Sequence, residues 1–182
     1  MHPNLLTKEC LLVLIDIQEK LFPYVQDKKQ LLGQITKLVR FATIMKIPIF
    51  LTEHYPQGLG PTIQEIRNIL PEYNPIKKIT FSAFGSEKFL QKIKDTKIKT
   101  LLICGIESHI CIEQTVLDGL SLGLNIHIIS DAISSRKKHD FQIGIQKMQQ
   151  SGGIISTTEM AMYEILERAD TPEFKDTLNL VK

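Results

Sequence analysis

The sequence lacks most of what would tie a chain to a membrane, a nucleic acid or a metal. Its formal net charge is only +2 over 182 residues. So small a balance does not argue for nucleic acid or an anionic membrane as the main partner. The lysines between 92 and 99 read instead as a solvated helix face and turn. No apolar run reaches the length of a membrane span, and the opening MHPNLLTKEC lacks signal-peptide architecture. A cytoplasmic protein with no membrane partner is the default expectation. Cysteines are few: Cys10, Cys104 and Cys111 are an odd number with no paired framework, which argues against a disulfide scaffold. No CxxC or HExxH pattern offers a metal site. There is no internal repeat, low-complexity tract or linker, so residues 1–182 read as a single domain.

What is present is ordinary globular composition, 43% hydrophobic and 23% charged. Short apolar runs alternate with helical patterns about six times. Residues 11–17, LLVLIDI, are too apolar for a one-sided strand and read as a central parallel strand. A broad apolar face at helical spacing covers 28–46. A second strand is expected over 47–52, with Pro48 tolerated at its start. A shaped loop over 53–61 follows, with two glycines and two prolines. Then come a helix over 62–70, an extended segment over 75–80 and a helix over 86–94. A fourth strand begins at Leu101, a fifth spans 125–130, and 132–138 read as a polar turn. A helix over 140–150, a strand over 154–156 and a helix from 157 to about 168 close the pattern. This alternation predicts an α/β fold, three-layered and doubly wound, with a mostly parallel six-stranded sheet in the order 3-2-1-4-5-6. Ligands bind such sheets at the carboxyl ends of the strands, where the order reverses between the first and fourth.

That crevice would bring together Asp16, Lys78 and Cys111. Ser108 can cap the helix after the fourth strand, placing Cys111 in its first turn. There the free N–H groups and the positive end of the dipole favour a thiolate. A thiolate attacks carbonyl carbon, Asp16 can take and return the proton, and an ammonium at Lys78 would favour both charged forms. Each residue also has a plain structural reading. Cys111 can be a small buried hydrophobe. Asp16 can simply pair with Lys78, and adjacent lysines are usually solvated. Glu53 and His54 can be loop surface, and serines mostly cap turns.

Four stretches resemble the isochorismatase-like hydrolase superfamily, which includes nicotinamidases and N-carbamoylsarcosine amidases. Residues 12–18, LVLIDIQ, are similar to that family's strand ending D-x-Q. Lys78 before Phe81-Ser82 is similar to its K-x-x-F-S segment. Residues 104–111, CGIESHIC, resemble its G-[VI]-E-[ST]-H-x-C motif. Ser130-Asp131-Ala132 followed by Ser134-Ser135-Arg136 resembles its D-A-x-[SA]-S-R element. Residues 52–62, TEHYPQGLGPT, are closest to the small isochorismatase domain-containing proteins.

The resemblance implies a catalytic set of Asp16, Lys78 and Cys111. It also implies a cis peptide between Ile106 and Glu107 that aims the N–H groups of Glu107 and Cys111 at a substrate oxygen. Gln18, Phe22, His54, Tyr55, Phe81 and Phe84 are the expected substrate-binding wall. The loop Thr52-Glu53-His54 lacks the aspartate with which nicotinamidases hold a metal, so no metal and no cofactor are expected. A cysteine points to C–N rather than vinyl-ether chemistry. The expectation is a cysteine-dependent hydrolase of a small amide, working through a thioacyl intermediate and assembled as a homo-oligomer. Two alternatives stand beside it: a non-catalytic binding or scaffold protein on the same fold, and a redox-sensing thiol.

Overall fold

Six runs rich in Val, Ile and Leu become six strands of one sheet in a computed structural model that describes residues 9–181. They are β1 (Cys10–Ile15), β2 (Ile49–His54), β3 (Ile76–Lys78), β4 (Thr100–Ile106), β5 (Asn125–Ser134) and β6 (Ile154–Ser156). Every neighbouring pair is parallel, and the order is β3-β2-β1-β4-β5-β6. All six residues of β1 are buried. This central strand is covered on both faces, which is why it reads as an unbroken apolar run rather than an alternating one.

Helices cover both faces. The longest, α1 (Lys28–Met45), buries Leu31, Ile35, Leu38, Val39, Ala42 and Met45 along one stripe. Each Leu or Ile fully removed from water there contributes roughly 1.5–3 kcal/mol. The helix stops at Lys46, whose left-handed backbone returns its N–H to the carbonyls of Ala42 and Thr43. Two short helices, α2 (Pro56–Leu59) and α3 (Gln64–Arg67), lie between β2 and β3. The helix expected over 62–70 is thus only four residues long. The others are α4 (Glu87–Lys94), α5 (Glu113–Ser121), α6 (Lys138–Gln150), α7 (Thr158–Leu166) and α8 (Pro172–Val181).

Two strand boundaries depart from expectation in ways that shape the crevice. β2 starts and ends two residues later than the sequence suggests. The Ile47 N–H still bonds the Ala42 carbonyl of α1, and Pro48 contributes only its carbonyl, to Leu12 N–H at 3.0 Å. Glu53 and His54 are therefore strand residues, not loop. β5 continues through Asp131–Ser134, where a turn was expected, because the β4 register shifts between Ile103 and Gly105. Gly105 sits at that irregularity with φ +123°, and a Cβ there would lie 2.1 Å from the Ile15 carbonyl oxygen. Only glycine lets β4 pass so close to β1.

Candidate active site

β1 ends at Ile15, and Asp16 then takes a left-handed backbone (φ +51°), uncommon for a residue with a side chain. Its carboxylate is fully used. Lys78 Nζ donates to Oδ2 at 2.6 Å, and Thr52 Oγ1 donates to Oδ1 at 2.6 Å. Lys78 ends β3 and also donates to the carbonyls of Thr80 (3.2 Å) and Phe81 (2.8 Å), three acceptors for three ammonium hydrogens. Both side chains of the pair are completely buried. Charges out of water persist only with such full hydrogen bonding.

The thiol comes from the other side of the sheet's midline. After β4 the Ile106–Glu107 peptide is cis. The chain then makes a wide π turn, Ser108–Ile112, before α5, with the N–H of Ile112 reaching the Glu107 carbonyl at 3.2 Å. Ser108 does not cap α5. Its hydroxyl bonds instead to that of Ser135, and the residue ahead of the turn is Glu107. Cys111 lies in this turn rather than in the first turn of a regular helix. It is 5% exposed, and the charges of Asp16 and Lys78 both act on its thiol.

This placement weighs against a preformed thiolate. Burial pushes the Cys111 thiol up from its ordinary value, and the Asp16 carboxylate pushes it further. The Lys78 ammonium opposes both but does not win. The resting group is a neutral thiol beside a carboxylate.

The turn is pinned by side chains from the end of β5 and beyond. The Glu107 carboxylate accepts from Arg136 N–H (3.1 Å) and Nε (2.9 Å). Ser135 Oγ accepts from Ser108 N–H at 3.2 Å and bonds His109 Nδ1 at 2.9 Å. Thr115 Oγ1 donates to the Cys111 carbonyl (2.6 Å) and accepts from Ala83 N–H (2.9 Å), tying α5 to the loop after β3.

An isochorismatase domain model matches residues 10–160. The chain belongs to the isochorismatase family. It is 34% identical over 181 residues to isochorismatase domain-containing protein 2A of Mus musculus, covering 98% of this chain and 85% of that one. Among solved structures it superposes on the MAR1 ribonuclease of Caenorhabditis elegans with a TM-score of 0.91 at 32% identity, covering 97% of this chain and 91% of that one. The YcaC gene product of Escherichia coli, an octameric hydrolase of unknown specificity, shares the fold at TM-score 0.87 and 21% identity, covering 97% of this chain and 94% of that one.

Within this isochorismatase-family frame, the expected substrate wall divides. His54 and Phe81 stack, centroids 5.2 Å apart and tilted by 34°, with Phe81 49% exposed. Phe22 opens a short 3-10 turn, Phe22–Tyr24, and packs part-buried against the core. Tyr55 is 52% exposed, with its ring against Gly58. Two residues leave the list. Gln18 is enclosed, its amide donating to the carbonyls of His54 (3.0 Å) and Gly60 (2.7 Å) and accepting from His54 N–H (2.8 Å). It latches β2 and the following loop to β1 rather than facing a ligand. Phe84 is 8% exposed and packs edge-on against Phe89 at 5.1 Å, so it belongs to the core.

Sequence reasoning missed Thr52 and Thr115. Thr52 could have been found from strand alternation, since it precedes His54 by two and shares its face. Thr115 follows Cys111 by four, the spacing at which a threonine hydroxyl returns to a helical carbonyl.

Proposed function

We propose that this isochorismatase-family chain is a cysteine-dependent hydrolase of a small amide or related C–N acyl compound. The observation that carries the reading is the buried Cys111 thiol within electrostatic reach of the buried, hydrogen-bonded Asp16–Lys78 pair. A carbonyl carbon reaching Cys111 triggers transfer of the thiol proton to the Asp16 carboxylate as the S–C bond forms. The carbonyl oxygen takes the negative charge, facing the N–H groups of Glu107 and Cys111. The C–N bond then breaks as the nitrogen takes the proton from Asp16, leaving a thioester on Cys111 and a free amine. Water attacks the thioester and gives a proton to Asp16, the S–C bond breaks, and that proton returns to sulfur. Lys78 keeps its charge throughout and holds the carboxylate in place. No cofactor or metal enters the cycle.

The test is an amide screen with mass spectrometry for an acyl adduct on Cys111, repeated with Cys111→Ala and Asp16→Asn. An adduct on wild type, absent from Cys111→Ala, with amine released, is the expected result. The C. elegans relative carries the name ribonuclease, so an RNA oligonucleotide is the control arm. RNA cleavage that survives Cys111→Ala would overturn the reading, because a phosphodiester offers no acyl carbon. One observation favours the second reading, a non-catalytic binding protein: Cys111 is only 5% exposed. Absence of any adduct or turnover across the screen would put that reading first. We also infer assembly into a homo-oligomer, which light scattering would test; a monomeric mass would remove it.

A further inference from the structure

We propose that His54 orients the substrate, its Nδ1 accepting a hydrogen bond from an N–H on the nitrogen side of the scissile bond. The substrate class is then a primary or secondary amide rather than an ester or a tertiary amide. The inference rests on the cysteine-hydrolase reading above and deepens it.

Strand geometry places the ring. His54 of β2 stands opposite Lys78 of β3 in parallel register. Side chains at paired positions of adjacent strands share a face of the sheet. The Lys78 side chain reaches Asp16 on that face. Thr52, two residues before His54, lies on it too and donates to the other Asp16 oxygen. Glu53, between them, points to the opposite face, where Thr62 and Tyr73 hold its carboxylate. Glu53 and His54 therefore cannot act as one pair, and of the two only the imidazole lies on the face that carries Asp16 and Lys78. Stacking on Phe81 holds it there.

The hydrogen bonds place the proton. The ring interacts with the Thr80 carbonyl, and Nδ1 is buried without a partner among the described residues. With the ring's proton on Nε2, Nδ1 is a bare acceptor. Burial and then the Lys78 charge push the ring's pKa below its ordinary value, with Asp16 and Thr80 opposing, so the acceptor persists at neutral pH. A buried acceptor left unpaired by the protein calls for a donor from outside it.

The proposed chemistry says which donor. The leaving nitrogen must turn its lone pair toward Asp16 to be protonated. An N–H held by His54 fixes that rotation. A site built around such a bond discriminates against analogues that lack the donor.

The test compares alkylation of Cys111 by iodoacetamide and by 2-iodo-N,N-dimethylacetamide, read by peptide mass spectrometry at one fixed alkaline pH. The rate ratio is normalised to that of free cysteine. Wild type should favour the N–H reagent by about three- to tenfold beyond the free-thiol ratio. His54→Phe keeps the stacking and removes the acceptor, so the excess should vanish. His54→Asn restores an acceptor oxygen near the Nδ1 position and should recover it. Because Asn is smaller than His, relief of crowding would instead favour the bulkier reagent, so steric and hydrogen-bond effects move in opposite directions. An excess that survives His54→Phe, or is absent in wild type while Cys111 reacts, overturns the His54 assignment and leaves the nucleophile standing. Failure of folded Cys111 to react with either reagent in all three proteins overturns the hydrolase reading and this inference with it.

Discussion

The two sides of the crevice are built by different means. On the side of β1, β2 and β3, regular strand register does the placing. Thr52 and Lys78 sit in the β2–β3 ladder, Asp16 follows β1 directly with a left-handed backbone, and all three are buried. On the side of β4 and β5 the backbone is irregular: a glycine close approach, a register shift, a cis peptide and a π turn. There the nucleophile is held by many modest bonds from Ser135, Arg136 and Thr115. The contrast teaches that one side relies mainly on strand register, with a single left-handed residue at Asp16, and the other on a series of exceptions to it. The first side concentrates its energy in one contact, whereas the second spreads it.

Breaking the concentrated side should have the largest effect. Lys78→Met leaves the Asp16 carboxylate buried without its cation and should cost about 3–5 kcal/mol in a denaturant titration at neutral pH. Asp16→Asn alone should also destabilise by stranding the ammonium. The double variant should lose clearly less than the sum of the two, since neither charge is then left alone. Additive losses would mean the two groups are not coupled as their 2.6 Å contact implies.

The same comparison predicts thiol behaviour with a sign. The carboxylate raises the Cys111 pKa and the ammonium lowers it. Asp16→Asn should therefore move the pH profile of Cys111 alkylation to lower pH, and Lys78→Met should move it to higher pH. In wild type, Cys111 should react more slowly than a free thiol at mildly alkaline pH. A profile that follows a free thiol in all three proteins would contradict the buried geometry.

The spread side should give way in smaller steps. Ser135→Ala removes the acceptor for Ser108 N–H and the partner of His109, at about 1–3 kcal/mol in the same titration. Asp140→Asn, at the exposed end of that chain, touches only a 3.8 Å contact to His109 and should change stability by no more than about 0.5 kcal/mol. Equal losses from the two would mean that Ser135 is not the anchor.

The regular side was the more legible in the sequence. The apolar run ending at Asp16 and the βα alternation specify the strand order, because parallel strands buried on both faces leave few ways to connect. What escaped depends on partners distant in the chain. Gln18 resembles a site residue until His54 and Gly60, far along the sequence, take up its amide. Phe84 follows a motif residue, but its ring packs into the core beside Gly119 of α5. Ser108 has the look of a cap, yet its partner Ser135 lies on another element. The thiol misled most. A helix dipole is a local property readable from spacing, whereas the burial that outweighs it belongs to the whole fold. The sixth strand, over 154–156, coincides with β6 because two glycines fix its start.

The smallest effect should separate the two halves of β5 itself. His127 lies in the regular half, opposite Leu102 and Ile154, and is buried. Burial pushes its pKa below the ordinary value, with Glu164 opposing. The folded state thus holds His127 neutral at pH values where the unfolded chain, with an ordinary value of about 6.5, binds a proton. Its contribution to stability is complete above that value and is lost as pH falls from there through the lower folded value. Urea titrations at neutral and mildly acidic pH should show wild type losing more stability than His127→Gln, which cannot titrate. Since His54 carries a shift of the same sign at the crevice, His54→Phe should remove a separate share of that slope. If His127→Gln and wild type fall in parallel while His54→Phe flattens the curve, the acid sensitivity belongs to the crevice alone and the regular half of β5 tolerates a charged imidazole.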